Sequence, residues 1–485
     1  MNIMFVYSLT DVQSMNNPLR SWQQIQFGIS YISAFLKKYN HNTKLVVLSK
    51  FFGGRNSLII DKSIKEFSPK LVCFTSTSSE YDFIRKIGEY IGKNYPNIYL
   101  VIGGCHASLN PNEVIQGQFD ALCVGEGEYP IFELVSQLES GFCPSKILNL
   151  WIKNSTGIEK NPPRPFIYDL DNLPFADRDI WQPWIAEQLD GGNSVLLGRG
   201  CPFDCTYCCN HSLRKISQGS YVRLRSPENI TEEIHSLIST FSASKEIFLE
   251  VESFGLDKAW AFKLCSQLEQ LNRRLDEPLS FSVNLRITPN MELESFFAVL
   301  KKANFKVVNI GLESGSEKIR RDILKRNYKN EDIISACALA RKHGIKVALF
   351  NMIGIPGETI EDFKETVKVN RACFADYDYT GIFYPYPGTE LYSLCKTKGF
   401  LERNLKTKME RSEAVLEFPD FSRKQIYWSY LWFDYYIYRG RKPLYKILLN
   451  VLLRYIKSVP SLYLIFRKFV QLPLLRNMRL AFIES

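Results

Sequence analysis

Short apolar runs alternate along this chain with stretches whose apolar residues recur every three or four positions. In the first third, Ile3 to Tyr7, Lys44 to Leu48, Lys70 to Phe74, Ile98 to Ile102 and Ala121 to Val124 read as strands. Gly28 to Tyr39, with Ile29, Ile32, Ala34, Phe35 and Leu36 on one side, and Tyr81 to Tyr95 read as helices. This alternation predicts a parallel, doubly wound sheet over residues 1–145. Ligands of such sheets bind at the carboxyl ends of the strands. Those ends carry Thr75-Ser76-Thr77-Ser78-Ser79, Gly103-Gly104-Cys105-His106 and Gly125-Glu126-Gly127-Glu128.

A proline-punctuated stretch follows, Asn161-Pro162-Pro163-Arg164-Pro165 and Leu173-Pro174, and predicts a linker over 146–188. Further β/α units then span 189–405. Strands are expected at Ser194 to Leu197, Glu246 to Val251, Leu279 to Val283, Val307 to Ile310, Lys346 to Ile353 and Tyr379 to Phe383. Ser226 to Phe241, Met291 to Ala303 and Thr359 to Asp376 read as helices between them. The order suits an open, partial (β/α) barrel whose strand C-termini face the chemistry. Residues 406–485 read as a helical, aromatic and basic end region.

Directly after the run Ser194-Val195-Leu196-Leu197-Gly198 stands Arg199-Gly200-Cys201-Pro202-Phe203-Asp204-Cys205-Thr206-Tyr207-Cys208. Three thiols at C-x3-C-x2-C spacing can hold three corners of a [4Fe–4S] cubane, which needs one thiolate per iron. Cys209 follows too closely to serve the same cluster and is expected to point away. The fourth iron is left for a small molecule, as catalytic metal sites keep an open position. A zinc knuckle and three unrelated core cysteines are the alternatives, and no second C-x2-C pair stands nearby to close a zinc site.

This loop resembles the signature of the radical S-adenosylmethionine (SAM) superfamily. The resemblance implies that the open iron binds SAM, which the reduced cluster cleaves to methionine and a 5′-deoxyadenosyl radical. It also implies SAM contacts at Glu252, Arg286, Glu313 and Ser314, and at Ile353 and Ile355 of the Ile353-Gly354-Ile355-Pro356-Gly357-Glu358 turn. Arg286 would pair with the SAM carboxylate, and the isoleucines would pack on adenine. A solvated-loop role for the charged residues is the alternative. Phe383-Tyr384-Pro385-Tyr386-Pro387-Gly388 resembles the turn near the barrel's end in that family.

The Gly28–Lys38 helix, the Ile102-Gly103-Gly104-Cys105-His106-Ala107 strand end and the Val124-Gly125-Glu126-Gly127-Glu128 turn resemble the cobalamin-binding domain that precedes many radical SAM enzymes. The implied cobalamin contacts are Thr75, Ser76, Gly103, Gly104, Gly125, Glu126 and Gly127. The D-x-H-x-x-G motif that supplies histidine to cobalt is absent, since Thr10-Asp11-Val12-Gln13-Ser14-Met15 follows the first strand. His106 is expected to hydrogen-bond at its strand end. A decayed ligand site serving only for packing is the alternative. The implied fold is α/β, with a Rossmann-like cobalamin-binding domain, a partial-barrel radical SAM domain and a helical C-terminal region.

The chain has 485 residues, 45% hydrophobic, enough for two or three domains. Twelve scattered cysteines and the lack of a secretory signal at the N-terminus predict a reducing, cytoplasmic location. The net charge is +10, yet after Tyr438 ten Lys and Arg residues face one acid, Glu484, a net +9. A global nucleic-acid-binding field is thereby excluded, and the charge belongs to the tail. There Leu444, Ile447, Leu448, Val451, Leu452 and Tyr455 share helical spacing, opposite Lys446, Asn450, Arg454 and Lys457. Packing against the barrel is one reading of this helix, and peripheral contact with anionic lipid is the other.

Together the resemblances imply a cobalamin-dependent radical SAM enzyme that methylates an unactivated carbon of a small-molecule or lipid-like substrate. A flavodoxin- or ferredoxin-type partner would supply electrons. The alternatives are a radical SAM cyclase or rearrangement enzyme without methyl transfer, a radical SAM enzyme whose front domain no longer binds cobalamin, and a non-enzymatic sensor.

Overall fold

The computed structural model describes residues 1–466, apart from 10–11, 13, 15–16, 186–191, 241–244, 290, 402–409, 460–461 and 464–465. Most of the Thr10–Met15 loop, the end of the expected linker and the tail cations from Arg467 onward lie outside these residues. The chain forms two compact units. The first comprises Met1–Asp204, Cys208–Glu252 and Leu275–Leu279, and the second Cys205–Tyr207, Ser253–Arg274 and Ser280–Ser485.

The first unit holds a seven-stranded sheet in the order β2-β1-β3-β4-β5-β6-β7. Its strands are β1 (Asn2–Ser8), β2 (Asn42–Leu48), β3 (Leu71–Thr75), β4 (Tyr99–Gly103), β5 (Ala121–Cys123), β6 (Leu150–Asn154) and β7 (Gly157–Lys160). β1 to β5 pair in parallel. Helices Phe27–Lys38, Arg55–Phe67, Tyr81–Asn94 and Glu128–Glu139 connect them. The sheet is covered on both faces, so its strands are apolar nearly throughout. Ile3, Phe5, Val47 and Leu134 face one core, and Met4, Val6, Ile84 and Ile102 the other. The doubly wound fold expected for this region is borne out.

The structure revises the stretch expected to be a linker. Residues 150–160 add the antiparallel hairpin β6–β7 to the sheet edge. Residues 161–181 lack regular elements, as the prolines require, yet they are packed rather than loose. Trp181 is fully buried and donates from Nε1 to Ser30 Oγ at 2.8 Å, while Leu170, Leu173 and Ala176 pack with Tyr31 and Phe35. Asp177 accepts from Ser33 Oγ at 2.5 Å and pairs with Lys37 at 2.8 Å.

The same unit contains β8 (Asn193–Leu196), β9 (Gly198–Arg199) and β10 (Arg223–Leu224), and most of β11 (Glu246–Phe254). β8 pairs β11 in parallel, and β9 pairs β10 antiparallel. In the second unit β12 (Ser280–Leu285), β13 (Phe305–Glu313), β14 (Lys346–Ile353) and β15 (Tyr377–Ile382) form successive parallel pairs. Helices Leu293–Lys302, Asn330–Lys342 and Ile360–Cys373 alternate with them, giving the partial-barrel pattern. Its end region adds helices Arg423–Leu431, Phe433–Tyr438 and Leu444–Ser458. Phe421, Ile426, Phe433 and Ile437 of this region share a core with Ile353, Ile355 and Phe363.

Candidate functional site

The cysteine loop leaves β9 at Gly200 and is followed by the return strand β10. Gly200 has φ +87°, and a Cβ there would stand 2.0 Å from the Tyr221 carbonyl oxygen. Only glycine fits so close an approach. Tyr221 Oη donates to Asn210 Oδ1 at 2.6 Å, and Asn210 directs its backbone N–H and its Nδ2 at Cys208 Sγ, at 3.5 and 3.7 Å. Cys208 is lowered to about 7, first by a hydrogen bond from Cys209 and further by the Asn210 amide, against burial. Cys209 is itself raised by thiol hydrogen bonds with Cys105 and Cys208. It is occupied with those partners.

The base of this loop is clamped by charge. Glu126 accepts from Arg199 Nη1 at 2.8 Å, from Arg223 Nη1 at 3.0 Å and from the Ile167 amide at 2.8 Å. Arg199 Nη2 also reaches Glu128 Oε1 at 2.5 Å, and its guanidinium lies over the Tyr31 ring. Glu128 is 2% exposed. The two carboxylates hold the Arg199 guanidinium above its ordinary value against burial. Glu126, expected at the cobalamin site, is engaged by the protein's own arginines.

In the second unit, Thr206 Oγ1 donates to the Ile323 carbonyl at 2.6 Å, and the Tyr207 hydroxyl accepts from Arg326 Nη1 at 3.0 Å. Arg326 also donates to the Gly311 carbonyl at 2.8 Å and pairs with Glu313 at 3.3 Å. Arg286 Nη1 lies 2.9 Å from Cys205 Sγ, placing a cation beside a candidate ligand sulfur. Glu313 adopts φ +62°, a strained conformation for a residue with a side chain. The turn it opens is secured by buried Arg320, which donates to the Ser314 carbonyl at 2.5 Å and to Asn330 Oδ1 at 2.7 Å.

Three residues expected to meet SAM have buried side chains. Ser314 is fully buried; its Oγ accepts from the Ser316 amide and lies 3.4 Å from Thr366 Oγ1. Ile353 and Ile355 are also fully buried, in the core with Phe363 and Ile426, so their side chains present no surface to adenine. The Gly354 and Ile355 amides donate to Glu358 Oε2 at 2.6 and 3.2 Å. Burial pushes Glu358 up to about 8. By contrast Glu252 is exposed at its strand end, and adjacent Ser253 is buried with no partner for its Oγ. Glu250, two residues back on β11, is raised to about 7 by burial and then by Glu252.

At the carboxyl ends of β3 and β4, Gly104 has φ +93°, and a Cβ there would lie 2.7 Å from Thr75 Oγ1 and 2.8 Å from the Ser76 carbonyl. The two turns thus meet through bare backbone. Ser76 is 3% exposed and its Oγ has no partner. Gly125, with φ +89°, donates its amide to Ser108 Oγ at 3.0 Å. Gly127 runs close against the Phe27–Lys38 helix, where a Cβ would meet Ile32. His106 receives hydrogen bonds at Nδ1 from Ser78 Oγ at 3.0 Å and Asn110 Nδ2 at 3.3 Å, which assigns its proton to Nε2. Burial lowers it to about 4, so the ring is neutral.

The donor set fits the groups implied by the sequence. Cys201, Cys205 and Cys208 are free thiols. Among the described residues no three His, Cys, Asp or Glu side chains gather as ligands of a single ion; a cubane asks instead for one thiolate per iron. The orphaned hydroxyls of Ser76 and Ser253 suit polar ligands. Arg223, Tyr207 and Arg326 were not singled out in the sequence, because nothing local to them signals their partners.

Two family models match the chain: the radical SAM superfamily over residues 195–369 and the B12 binding domain over residues 23–135. A Pyrococcus horikoshii protein named as an uncharacterized methyltransferase is 28% identical over 409 residues, covering 82% of this chain and 84% of the relative. The cobalamin-dependent SAM radical enzyme OxsB superposes with a TM-score of 0.70 at 15% identity, covering 97% of this chain and 75% of that one. The radical SAM methyltransferase TsrM from Kitasatospora setae, solved with cobalamin and a [4Fe–4S] cluster, gives 0.64 at 18% identity, covering 83% and 76%.

Proposed function

We propose that this protein, which belongs to the radical SAM superfamily and carries a B12-binding domain ahead of its radical SAM domain, is a cobalamin-dependent methyltransferase acting on an unactivated carbon of a small molecule. The observation that carries the reading is the C-x3-C-x2-C loop, clamped at its base by Glu126 and Glu128 and at its middle by Arg326 and Ile323. The methyltransferase relative and the two superposing folds support it.

Cys201, Cys205 and Cys208 would hold a [4Fe–4S] cluster, and Thr75, Ser76, Gly103 and Gly104 would border cobalamin. When bound, cluster and SAM supply a 5′-deoxyadenosyl radical, and methylcobalamin supplies the methyl group. The chain's own part is placement. Arg286 holds positive charge beside Cys205, where it opposes the negative charge of the thiolate and can receive the SAM carboxylate. Glu252 and Ser253 offer an acceptor and a hydroxyl near the end of β11. Keeping so reactive a radical from water requires that all participants be held in one closed arrangement.

The substrate is proposed to have a flat apolar part. Phe350 and Tyr379, paired across β14 and β15, stack at 5.0 Å and remain 37% and 55% exposed, while alternate residues of β14 are buried. A flavodoxin- or ferredoxin-type protein is the proposed reductant. All twelve cysteines are free thiols, which supports a reducing cytoplasm.

The test is anaerobic turnover of reconstituted protein with methyl-labelled SAM and a chemical reductant. Formation of 5′-deoxyadenosine, absorbance of bound cobalamin and label recovered in methylcobalamin are expected. Without 5′-deoxyadenosine the enzymatic reading fails. With 5′-deoxyadenosine but no label transfer to cobalamin, a cyclase or rearrangement enzyme replaces the methyltransferase.

A further inference from the structure

Packing against the barrel was one of two readings of the helix Leu444–Ser458, yet Ile447 is its only fully buried residue. Leu444, Tyr445, Leu448, Leu452 and Tyr455 are 57%, 68%, 43%, 52% and 43% exposed. At about 100° per residue these five fall within an arc of roughly 100°, a continuous apolar strip. Soluble surfaces scatter such residues singly, and a contiguous strip marks an interaction site.

The helix cannot turn this strip inward. Arg454 donates from Nη2 to Asp378 Oδ2 of β15 at 2.9 Å and to Asp434 Oδ1, and both carboxylates are buried. Tyr427 Oη lies 2.7 Å from Ser458 Oγ. These bonds, with Ile447, face the unit's own core and set the strip's orientation.

Charge selects the occupant. Lys and Arg outnumber acids ten to one after Tyr438, and Arg439, Arg441, Lys446 and Lys457 are exposed. A second copy on the same strip would bring these exposed cations against their own like charges. Lys446 and Lys457 project from the opposite flank, about 10 Å away across the helix, within roughly one Debye length at physiological salt. Among the described residues no helix is long and apolar enough to cross a membrane. We propose that this strip is an in-plane docking surface for an anionic lipid bilayer: the leucines and tyrosines enter the headgroup boundary, and the basic end region supplies the attraction. The proposal stands apart from the reaction assigned above.

The experiment is flotation of purified full-length protein with phosphatidylcholine vesicles containing 30–40% phosphatidylglycerol (on the order of a strongly anionic leaflet), beside vesicles of phosphatidylcholine alone. Wild type should float with anionic vesicles at low salt, lose most binding in high salt, and ignore neutral vesicles. Leu448→Glu combined with Leu452→Glu should reduce bound protein about tenfold or more, with unchanged circular dichroism, because both positions are already exposed. No flotation of wild type, or equal flotation of wild type and variant, overturns the proposal. So does a wild-type dimer in sedimentation velocity that the double variant abolishes, since a second copy would then occupy the strip.

Discussion

The base and the middle of the cysteine loop are held by different physics. At the base, two carboxylates and two guanidinium groups meet largely out of water, through Glu126, Glu128, Arg199 and Arg223. At the middle, Thr206 and Tyr207 are tied by hydroxyl hydrogen bonds to the Ile323 carbonyl and to Arg326. A charge cluster is unforgiving, because removing one partner strands a buried ion. A hydroxyl anchor loses roughly one hydrogen bond. Loss of a partner is thus costliest where the loop departs from its hairpin.

The sharpest break would come from the ligands themselves. Cys205→Ser should bring 5′-deoxyadenosine formation to background, a loss of at least about a hundredfold, with iron content below wild type. Undiminished product would remove the cluster from both sides of the comparison. Next in size, Glu126→Gln should cost about 3 kcal/mol in urea unfolding. If cobalamin affinity fell instead, at unchanged stability, Glu126 would be a cofactor contact and not a clamp.

Glu358 extends the comparison to the turn after β14. Its folded value of about 8 exceeds the unfolded 4.5, so its stabilising contribution is complete below pH 4.5 and is lost as pH rises toward 8. The slope is about 1.4 kcal/mol per pH unit between roughly pH 5 and 8. Glu358→Gln keeps an acceptor for the Gly354 and Ile355 amides, and urea midpoints between pH 6 and 8 should lose that component. An identical slope in the variant would assign it elsewhere. Smallest of all, Tyr207→Phe should cost about 1 kcal/mol; a loss matching that of Glu126→Gln would erase the distinction between base and middle.

The elements were legible where periodicity was long. Lys346–Ile353 was read to the residue, and β1 to β5 to within one or two. The β6–β7 hairpin was not, since its strands are five and four residues long, half-exposed and followed by prolines. The thiol spacing and the glycine turns stood out because their chemistry is local. The clamp on Glu126 was not legible because its partners lie 73 and 97 residues away. The burial of Ser314, Ile353 and Ile355 was not legible for a related reason: the partners that bury them belong to helices later in the chain, Thr366 in one and Ile426 in another.

Arg454 is a single cation answering two buried acids, Asp378 and Asp434. Cutting the chain ahead of residue 454 to obtain a tidier catalytic fragment would leave both carboxylates in the interior without a counter-ion. The helix Leu444–Ser458 is therefore a keystone of the second unit, and shortened versions of the protein need Asp378 and Asp434 neutralised together before their behaviour can be credited to the missing tail.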